Sequence, residues 1–494
     1  MNTEPVETPY GLVPPPVVIG GGRVVAYNAD CRAVLHMLAA RGELVHAVCE
    51  DPPYHLTSIV KRFGRDGSAP AVHGTDGAFA RASRGFMGHT WDGGNVAFDP
   101  ETWRLHLGAL LPGGYLTAFA STSGYHHMAV AIEASGFRAH PMLEYLFDTH
   151  PLLESFLLTL SADQLAALCR LIETQGDVSP LAWIFGSGMV KPTRLQLPGT
   201  DHLRYGAGAL KPALEPVFMG QKPLEGTGTE NWLAHGVGAL NVDAARVERE
   251  GRWDARGNDS AEAKRIYQGG FNNRRSGSRD LGGYPANVVH DGSAAVAACF
   301  PAAPGQRGAV SGEEVSAPTK GTYGSGWRRV AAMPRHDGGG PASRLFYGAK
   351  ATGEDRWHLC RVCGGAGPAG TEWAHQHDRT NTDHIVWHPT VKPVALARWL
   401  VRLTCPQPGQ TVFDGFAGTG TTGVACLAEG RRAVLVEQNP DYFRILVARC
   451  RHYAGESAYA LPERRHRRPA KAATHPTLFA GLEPEGGAHD AAAE

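Results

Sequence analysis

Residues 410–438 read QTVFDGFAGTGTTGVACLAEGRRAVLVEQ. An apolar run ends at Asp414, glycines stand at 418, 420 and 423, and a helix-forming stretch follows. A second apolar run then closes on Glu437. Strand, glycine turn, helix and strand in that order make one unit of a mostly parallel α/β sheet. Glycines at such a turn let a ligand approach the backbone closely. An acid ending the second strand can accept hydrogen bonds from both hydroxyls of a ribose. A nicotinamide or flavin nucleotide fits this pattern. So does S-adenosyl-L-methionine, which has a ribose but no pyrophosphate. The turn alone leaves that choice open.

The same alternation extends toward the amino terminus. RVVAYNADC (23–31) reads as a strand, RAVLHMLAARG (32–42) as a short helix and LVHAVCE (44–50) as a buried strand. Helix DPETWRLHLGALL (99–111), strand GGYLTAFAS (113–121), helix GYHHMAVAIEASG (124–136) and strand FRAHPMLEYLF (137–147) continue it. SADQLAALCRLIETQG (161–176) opens with a capping box and breaks the pattern, so 149–180 is expected to be a helical insertion. AWIFGSGMV and PVFMGQKPL add strands, and a second α/β block starts near Trp387 with helix VALARWLVRLTC (394–405). Residues 1–22 are expected to be a flexible arm, 61–95 a long loop, and 455–494 a disordered tail. The organisation that follows is a first catalytic part at 23–224, a Gly-, Arg-, Asn- and Ser-rich region at 225–345, and a second catalytic part at 346–454.

Composition narrows the function classes. The chain has 494 residues, 43% hydrophobic and 19% charged, which supports a sizeable core. Lys plus Arg and Asp plus Glu both number 48, so the protein as a whole is not a basic nucleic-acid coat, although a local basic face is compatible with that balance. No apolar run reaches the length of a membrane span, and the acidic, proline-rich start does not resemble a signal peptide. Nine cysteines, single except for Cys360-x-x-Cys363, point to reduced thiols and a cytoplasmic setting.

A second motif ends the strand at 44–50: Asp51-Pro52-Pro53-Tyr54. Two prolines remove two backbone donors and stiffen the chain where α/β sheets place ligands. Asp51 supplies an acceptor, the carbonyl of Pro52 a second one fixed in direction, and Tyr54 a flat face. Two acceptors and a plate suit an exocyclic amino group on a flat heterocycle. Such a nitrogen is a poor nucleophile because its lone pair is delocalised into the ring. Accepting its hydrogens out of the ring plane moves it toward sp³ and frees the pair for in-line attack on a sulfonium methyl.

With these motifs in place the chain resembles the permuted, amino-methylating DNA methyltransferases, most closely phage- and prophage-borne ones, in which Asp-Pro-Pro-Tyr precedes the cofactor motif. YNADC, EDPPY, GFMGHTWD with NVAFDPETW, LKPALEPVFMGQKPL, GYPANVVHDGS, HPTVKP, FDGFAGTGTTG and VEQNPDYF carry the resemblance across most of 23–452. It implies a Rossmann-like fold specific to S-adenosyl-L-methionine, with an inserted target-recognition region at 225–345. It also implies double-stranded DNA as partner and a target base flipped out of the duplex. Asp51, Pro52, Pro53 and Tyr54 would hold the base. Asp414, Phe416, Gly418, Gly420 and Thr421 would line the cofactor pocket, with Glu437 on the ribose and Asp30 near the adenine. Thr390 and Lys392 would lie at the methionine end, where a cation can meet a carboxylate. Asp at the first motif position favours adenine N6 over cytosine N4. The chain departs from the family in reading Asp414-Gly415-Phe416 where Asp-Pro-Phe is usual, and in its 149–180 insertion.

Cys360 and Cys363, followed by His375, His377 and His384, have a spacing that can hold a structural zinc in a loop at 360–384, with His375 and His377 the pair singled out and the choice of histidines open; two reduced cysteines in a surface loop is the plainer alternative. A dinucleotide-dependent oxidoreductase and an inactive DNA-binding relative stay open as other readings, as does a homodimer.

Overall fold

The computed structural model describes residues 4–54, 95–138 except 123, 181–185, 193–194, 197, 204–205, 213–247, 283, 285–302, 342–349, 351–369 and 384–456. Nearly all of the loop at 61–95, the insertion at 149–180, most of 225–345, His375, His377 and the tail from 457 lie outside the described residues.

Among the described residues ten strands form one sheet: β1 (Val17–Ile19), β2 (Val24–Tyr27), β3 (Val45–Glu50), β4 (Leu110–Phe119), β5 (Leu181–Ile184), β6 (Leu214–Gln221), β7 (Val288–His290), β8 (Tyr347–Gly348), β9 (Thr411–Asp414) and β10 (Arg432–Val436). Their order across the sheet is β8-β7-β5-β6-β4-β3-β9-β10-β2-β1. Only β6 and β1 run against the others. The expected α/β alternation and mostly parallel sheet are therefore present.

Local stereochemistry sets the helix ends. Helix α1 (Cys31–Arg41) starts at Asp30, whose carboxylate accepts the Arg32 N–H, and stops at Gly42 with φ 66°. Asp99 caps α2 (Pro100–Ala109) and Asn439 caps the last helix, and in both a proline takes the first helical position, where its missing N–H costs nothing. Helices α3 (Tyr125–Ala134), α4 (Gly228–His235, with a capping box between Thr227 and Glu230), α5 (Val394–Thr404), α6 (Thr421–Ala428) and α7 (Pro440–Tyr453) complete the set used below.

The helices cover both faces of the sheet. On one side Leu35, Leu38, Trp103 and Ile132 of α1, α2 and α3 pack with Val48 and Phe413. On the other, Trp399, Leu400, Ala425 and Leu446 of α5, α6 and α7 pack with Ala47 and Val412. Ala47, Val48 and Cys49 alternate between the two cores, as a strand buried on both faces requires. Truncating a fully buried side chain such as Trp399 to alanine would cost about 3–5 kcal/mol.

The arm expected to be flexible is built into the fold from Val6 onward. Val6–Thr8 pairs with Gly11–Val13 as a hairpin, and β1 pairs with β2 through a glycine turn at 20–22. Val13 and Ile19 are buried. An acidic, proline-rich composition hid the few apolar side chains that find core surface here.

A small antiparallel sheet of Trp357–Cys360, Ala366–Pro368 and Ile385–Trp387 packs Trp357 and Leu359 onto Tyr442 and Ile445 of α7. Among the described residues no helix is long and apolar enough to cross a membrane.

The winding of the sheet creates a crevice. From β3 the chain proceeds to β4 on one side, and from β9 to β10 on the other. Ligands of open α/β sheets bind beyond the carboxyl ends of the strands, where the winding reverses. Here that place lies between β3 and β9, which pair in parallel with Ala47 opposite Val412 and Val48 opposite Phe413. β9 and β10, last along the chain, thus insert between β3 and β2.

Candidate functional site

The glycine turn leaves β9 at Asp414 and enters α6 at Thr421. Its three motif glycines have different reasons to be glycine. A Cβ on Gly423 would come within 2.6 Å of Leu435, and one on Gly420 within 3.1 Å of Leu446, so both permit close helix packing. Gly418 has φ 51°, and a Cβ there would meet nothing nearer than His388 at 3.7 Å. Its face is the open one.

Glu437 closes the turn from the next strand. Its Oε2 accepts the Gly418 N–H at 2.8 Å and its Oε1 accepts the Asn439 N–H at 2.7 Å. Burial pushes its carboxyl up to about 7 in spite of those two hydrogen bonds. Asp414 is buried and accepts the Phe416 N–H at 3.0 Å. Burial raises its carboxyl well above the usual range; the Thr422 and Phe416 hydrogen bonds lower it, while the charges of Glu50 and Asp51 raise it. Phe416 is half-buried against the α1–α3 core. The Thr421 hydroxyl accepts a hydrogen bond from Arg449 at 3.2 Å.

Across the crevice, β3 delivers Asp51 to Tyr54. Pro52 is buried and Pro53 half-buried. The Tyr54 hydroxyl lies 2.8 Å from Asp51 Oδ1 and 3.2 Å from Glu215 Oε2, and Lys392 Nζ donates to Asp51 Oδ2 at 2.7 Å. The same ammonium is 3.2 Å from Glu215 Oε2 and 3.0 Å from the Tyr54 oxygen. It also stands 5.0 Å from the Phe119 ring centroid and 5.3 Å from that of Tyr54. Burial and the adjacent carboxylates hold the Tyr54 phenol well above its usual pKa, so the hydroxyl stays a donor. Burial would lower the Lys392 ammonium, but Asp51 and Glu215 outweigh it and keep it charged. Glu215 is raised by burial and by Asp51, against the opposing pull of Lys392.

Four residues from three distant stretches of chain thus form one hydrogen-bonded cluster. Glu215 was not singled out from sequence, although its stretch was noted. The available signal was an acid next to a proline at the start of an otherwise apolar strand. Lys392 was expected beside a cofactor carboxylate; the structure places its ammonium on Asp51 and Glu215. Thr390 is exposed, with its N–H directed at His388 Nδ1 at 3.3 Å. Asp30, expected near an adenine, is the α1 cap and is paired with the Arg32 guanidinium at 2.8 Å.

Arg449 is a further residue that the sequence did not flag. It is fully buried in α7 and donates to the Thr419 carbonyl at 3.3 Å and to the Thr421 hydroxyl. It faces Asp355 at 3.7 Å, and Asp355 in turn accepts the Val394 N–H at 3.1 Å. The glycine turn and the helix start that follows Lys392 are therefore tied to one buried guanidinium.

Cys360 is buried and Cys363 exposed. Burial would raise the Cys360 thiol, but the N–H groups of Cys363 and Val362 and the Cys363 side chain bring it below the ordinary value. His375 and His377, the other expected zinc ligands, lie outside the described residues. Among the described residues no group of three or more His, Cys, Asp or Glu is arranged to hold a metal.

Residues 338–448 match the family model for DNA methylase. The chain is 33% identical over 99 residues to the DNA adenine methyltransferase YhdJ of Escherichia coli (strain K12), covering 19% of this chain and 33% of the relative. It is 41% identical over 73 residues to the type II methyltransferase M.Cfr9I of Citrobacter freundii, covering 13% of this chain and 24% of the relative. These matches span about a quarter to a third of the relatives' own length. A solved structure of an M1.HpyAVI–SAM complex aligns over 86% of this chain and 98% of its own, at 13% identity and TM-score 0.32.

Proposed function

Taking residues 338–448 as a segment of the DNA methylase family, we propose that this chain methylates the exocyclic amino group of a base in double-stranded DNA, adenine N6 ahead of cytosine N4. The methyl donor is S-adenosyl-L-methionine. One observation carries the proposal: Asp51-Pro52-Pro53-Tyr54 and the glycine turn, far apart along the chain, leave adjacent parallel strands side by side.

The residues of the crevice suit such a donor. Gly418 leaves its face open, and Glu437 stands beside it with an acceptor lone pair left on each oxygen for ribose hydroxyls. When bound, the cofactor supplies an electrophilic methyl on a positively charged sulfur.

The chain's own part is to hold and orient the amino group. Lys392 and the Tyr54 hydroxyl each occupy one lone pair of an Asp51 oxygen, fixing the carboxylate while leaving acceptor capacity toward the crevice. Asp51 and the Pro52 carbonyl accept the two amino hydrogens. This draws the nitrogen lone pair out of conjugation and aims it. As the nitrogen gains a bond it must shed a proton, and Asp51, already accepting that N–H, is its first acceptor. Glu215 balances the Lys392 charge, so the cation does not repel a positively charged sulfur across the crevice.

The test is digestion to nucleosides of DNA from cells expressing the chain. The expected product is 6-methyladenine; 4-methylcytosine would reassign the base, and neither product would refute the proposal. Two reduced cysteines at Cys360 and Cys363 remain the plainer reading there and a structural zinc with His375 and His377 the lesser one, to be decided by metal analysis of the purified protein before and after chelation.

A further inference from the structure

Beneath the crevice lies a buried pair that the transfer chemistry does not use. Glu50, the last residue of β3 and the one before Asp51, is buried, as is His106 of α2. His106 Nδ1–H donates to the Thr102 carbonyl at 2.8 Å, and its Nε2 lies 3.1 Å from Glu50 Oε2. The same Oε2 accepts the N–H of Gly415 at 3.2 Å. Gly415 is the residue after Asp414, in the turn on the other strand. One carboxylate therefore spans the crevice from below, with Asp51 next to it on one side and Asp414 next to its partner on the other.

We propose that Glu50 and His106 are positioning residues: the carboxylate, oriented by the imidazole, grips the Gly415 amide and sets the separation between the amino-group acceptor and the cofactor turn. This rests on the methyltransferase reading above.

Three features favour positioning over mere packing. Gly415 leaves room for the grip, because a Cβ there would stand 3.0 Å from Cys31 Cβ, 3.1 Å from the Phe413 ring and 3.2 Å from Glu50 Oε2. The orientation of the imidazole is fixed, by the Thr102 carbonyl at one nitrogen and Glu50 at the other. The Glu50–His106 pair is a poor stability device, since Glu50 Oε1 is buried with no hydrogen-bond partner among the described residues. Apolar side chains of similar volume would serve packing equally well or better, as buried ion pairs replaced in this way are often neutral or stabilising. What apolar side chains cannot do is hold the Gly415 N–H.

The experiment compares wild type with Glu50→Met/His106→Leu and with Glu50→Gln. A glutamine oxygen in the place of Oε2 can still accept from Gly415 and from a His106 that carries a proton on Nε2. The readouts are Tm, kcat and KM for methyl transfer, and hydrogen exchange at the Gly415 amide. The apolar double variant is expected to melt within a few degrees of wild type. Its kcat falls about ten- to a hundredfold, as for a small misplacement of reacting groups, while KM for the cofactor moves less than about threefold. Its Gly415 amide exchanges at least about tenfold faster, and Glu50→Gln restores kcat to within about threefold. A double variant with wild-type kcat, or with unchanged exchange at Gly415, overturns the proposal. If the double variant does not fold, Glu50→Met alone carries the same comparison. Absence of methyl transfer by wild type would sink the methyltransferase reading instead, and exchange at Gly415 would then decide the grip by itself.

Discussion

Replacing Lys392 with methionine keeps the length of the side chain and removes its charge. The ammonium sits 2.7 Å from Asp51 and 3.2 Å from Glu215, with only 10% of the side chain exposed. At an effective dielectric near 20 each contact is worth about 5–6 kcal/mol of attraction before desolvation is subtracted. Desolvation of three buried charges takes up much of that. The measurable loss should be about 3 kcal/mol, the lower end of what removing one partner of a buried pair costs. Two carboxylates that then face each other across the Tyr54 hydroxyl cannot both stay ionised, so the native variant retains a proton that the wild type does not. A native state with the extra proton loses stability, relative to wild type, as pH rises, by up to about 1.4 kcal/mol per unit. The destabilisation should therefore be smallest near about pH 4.5, where the carboxyls of the unfolded chain begin to ionise, and grow with pH until the retained proton is lost. Catalysis shows the opposite trend, because the shared proton occupies an acceptor needed for the amino group. Methyl transfer at pH 7 should fall at least about tenfold and recover toward pH 9. Denaturant midpoints across that range, with initial rates from labelled cofactor, test both limbs. A midpoint difference that does not change with pH, together with an unshifted pH–rate profile, would mean that Lys392 is not the counter-ion of this pair.

Asp51→Ala removes the amino-group acceptor and should lower kcat at least about a hundredfold, while cofactor affinity by calorimetry stays within about threefold. Gly418→Val forces a branched side chain to φ 51°, at about 1–2 kcal/mol of backbone strain, and fills the open face of the turn. Cofactor Kd should weaken by more than about tenfold, and Tm should fall. Glu437 has its carboxyl pushed up to about 7, and only the ionised form accepts from both ribose hydroxyls. Cofactor binding should then tighten about tenfold from pH 6 to pH 8, a slope that Glu437→Gln should abolish.

The amino-acid sequence by itself determined the local units. Residues 410–438 announce a strand, a glycine turn, a helix and an acid-ended strand, and 44–54 announce a strand stopped by two prolines. These signals are short-range: side-chain periodicity, the φ that glycine permits and the donors that proline lacks act within a few residues. The arm at 6–19 was missed because edge pairing and the burial of Ile19 depend on surface supplied by β2, not on the arm's own composition. Only the tertiary structure decided that β9 lies against β3, that Glu215 and Lys392 meet on Asp51, and that Glu50 reaches Gly415. A lone Lys or Glu in a sequence carries no sign of its partner. Whether it is a solvated surface charge or one member of a buried pair is set by which strand ends the sheet brings together and how much water it excludes there.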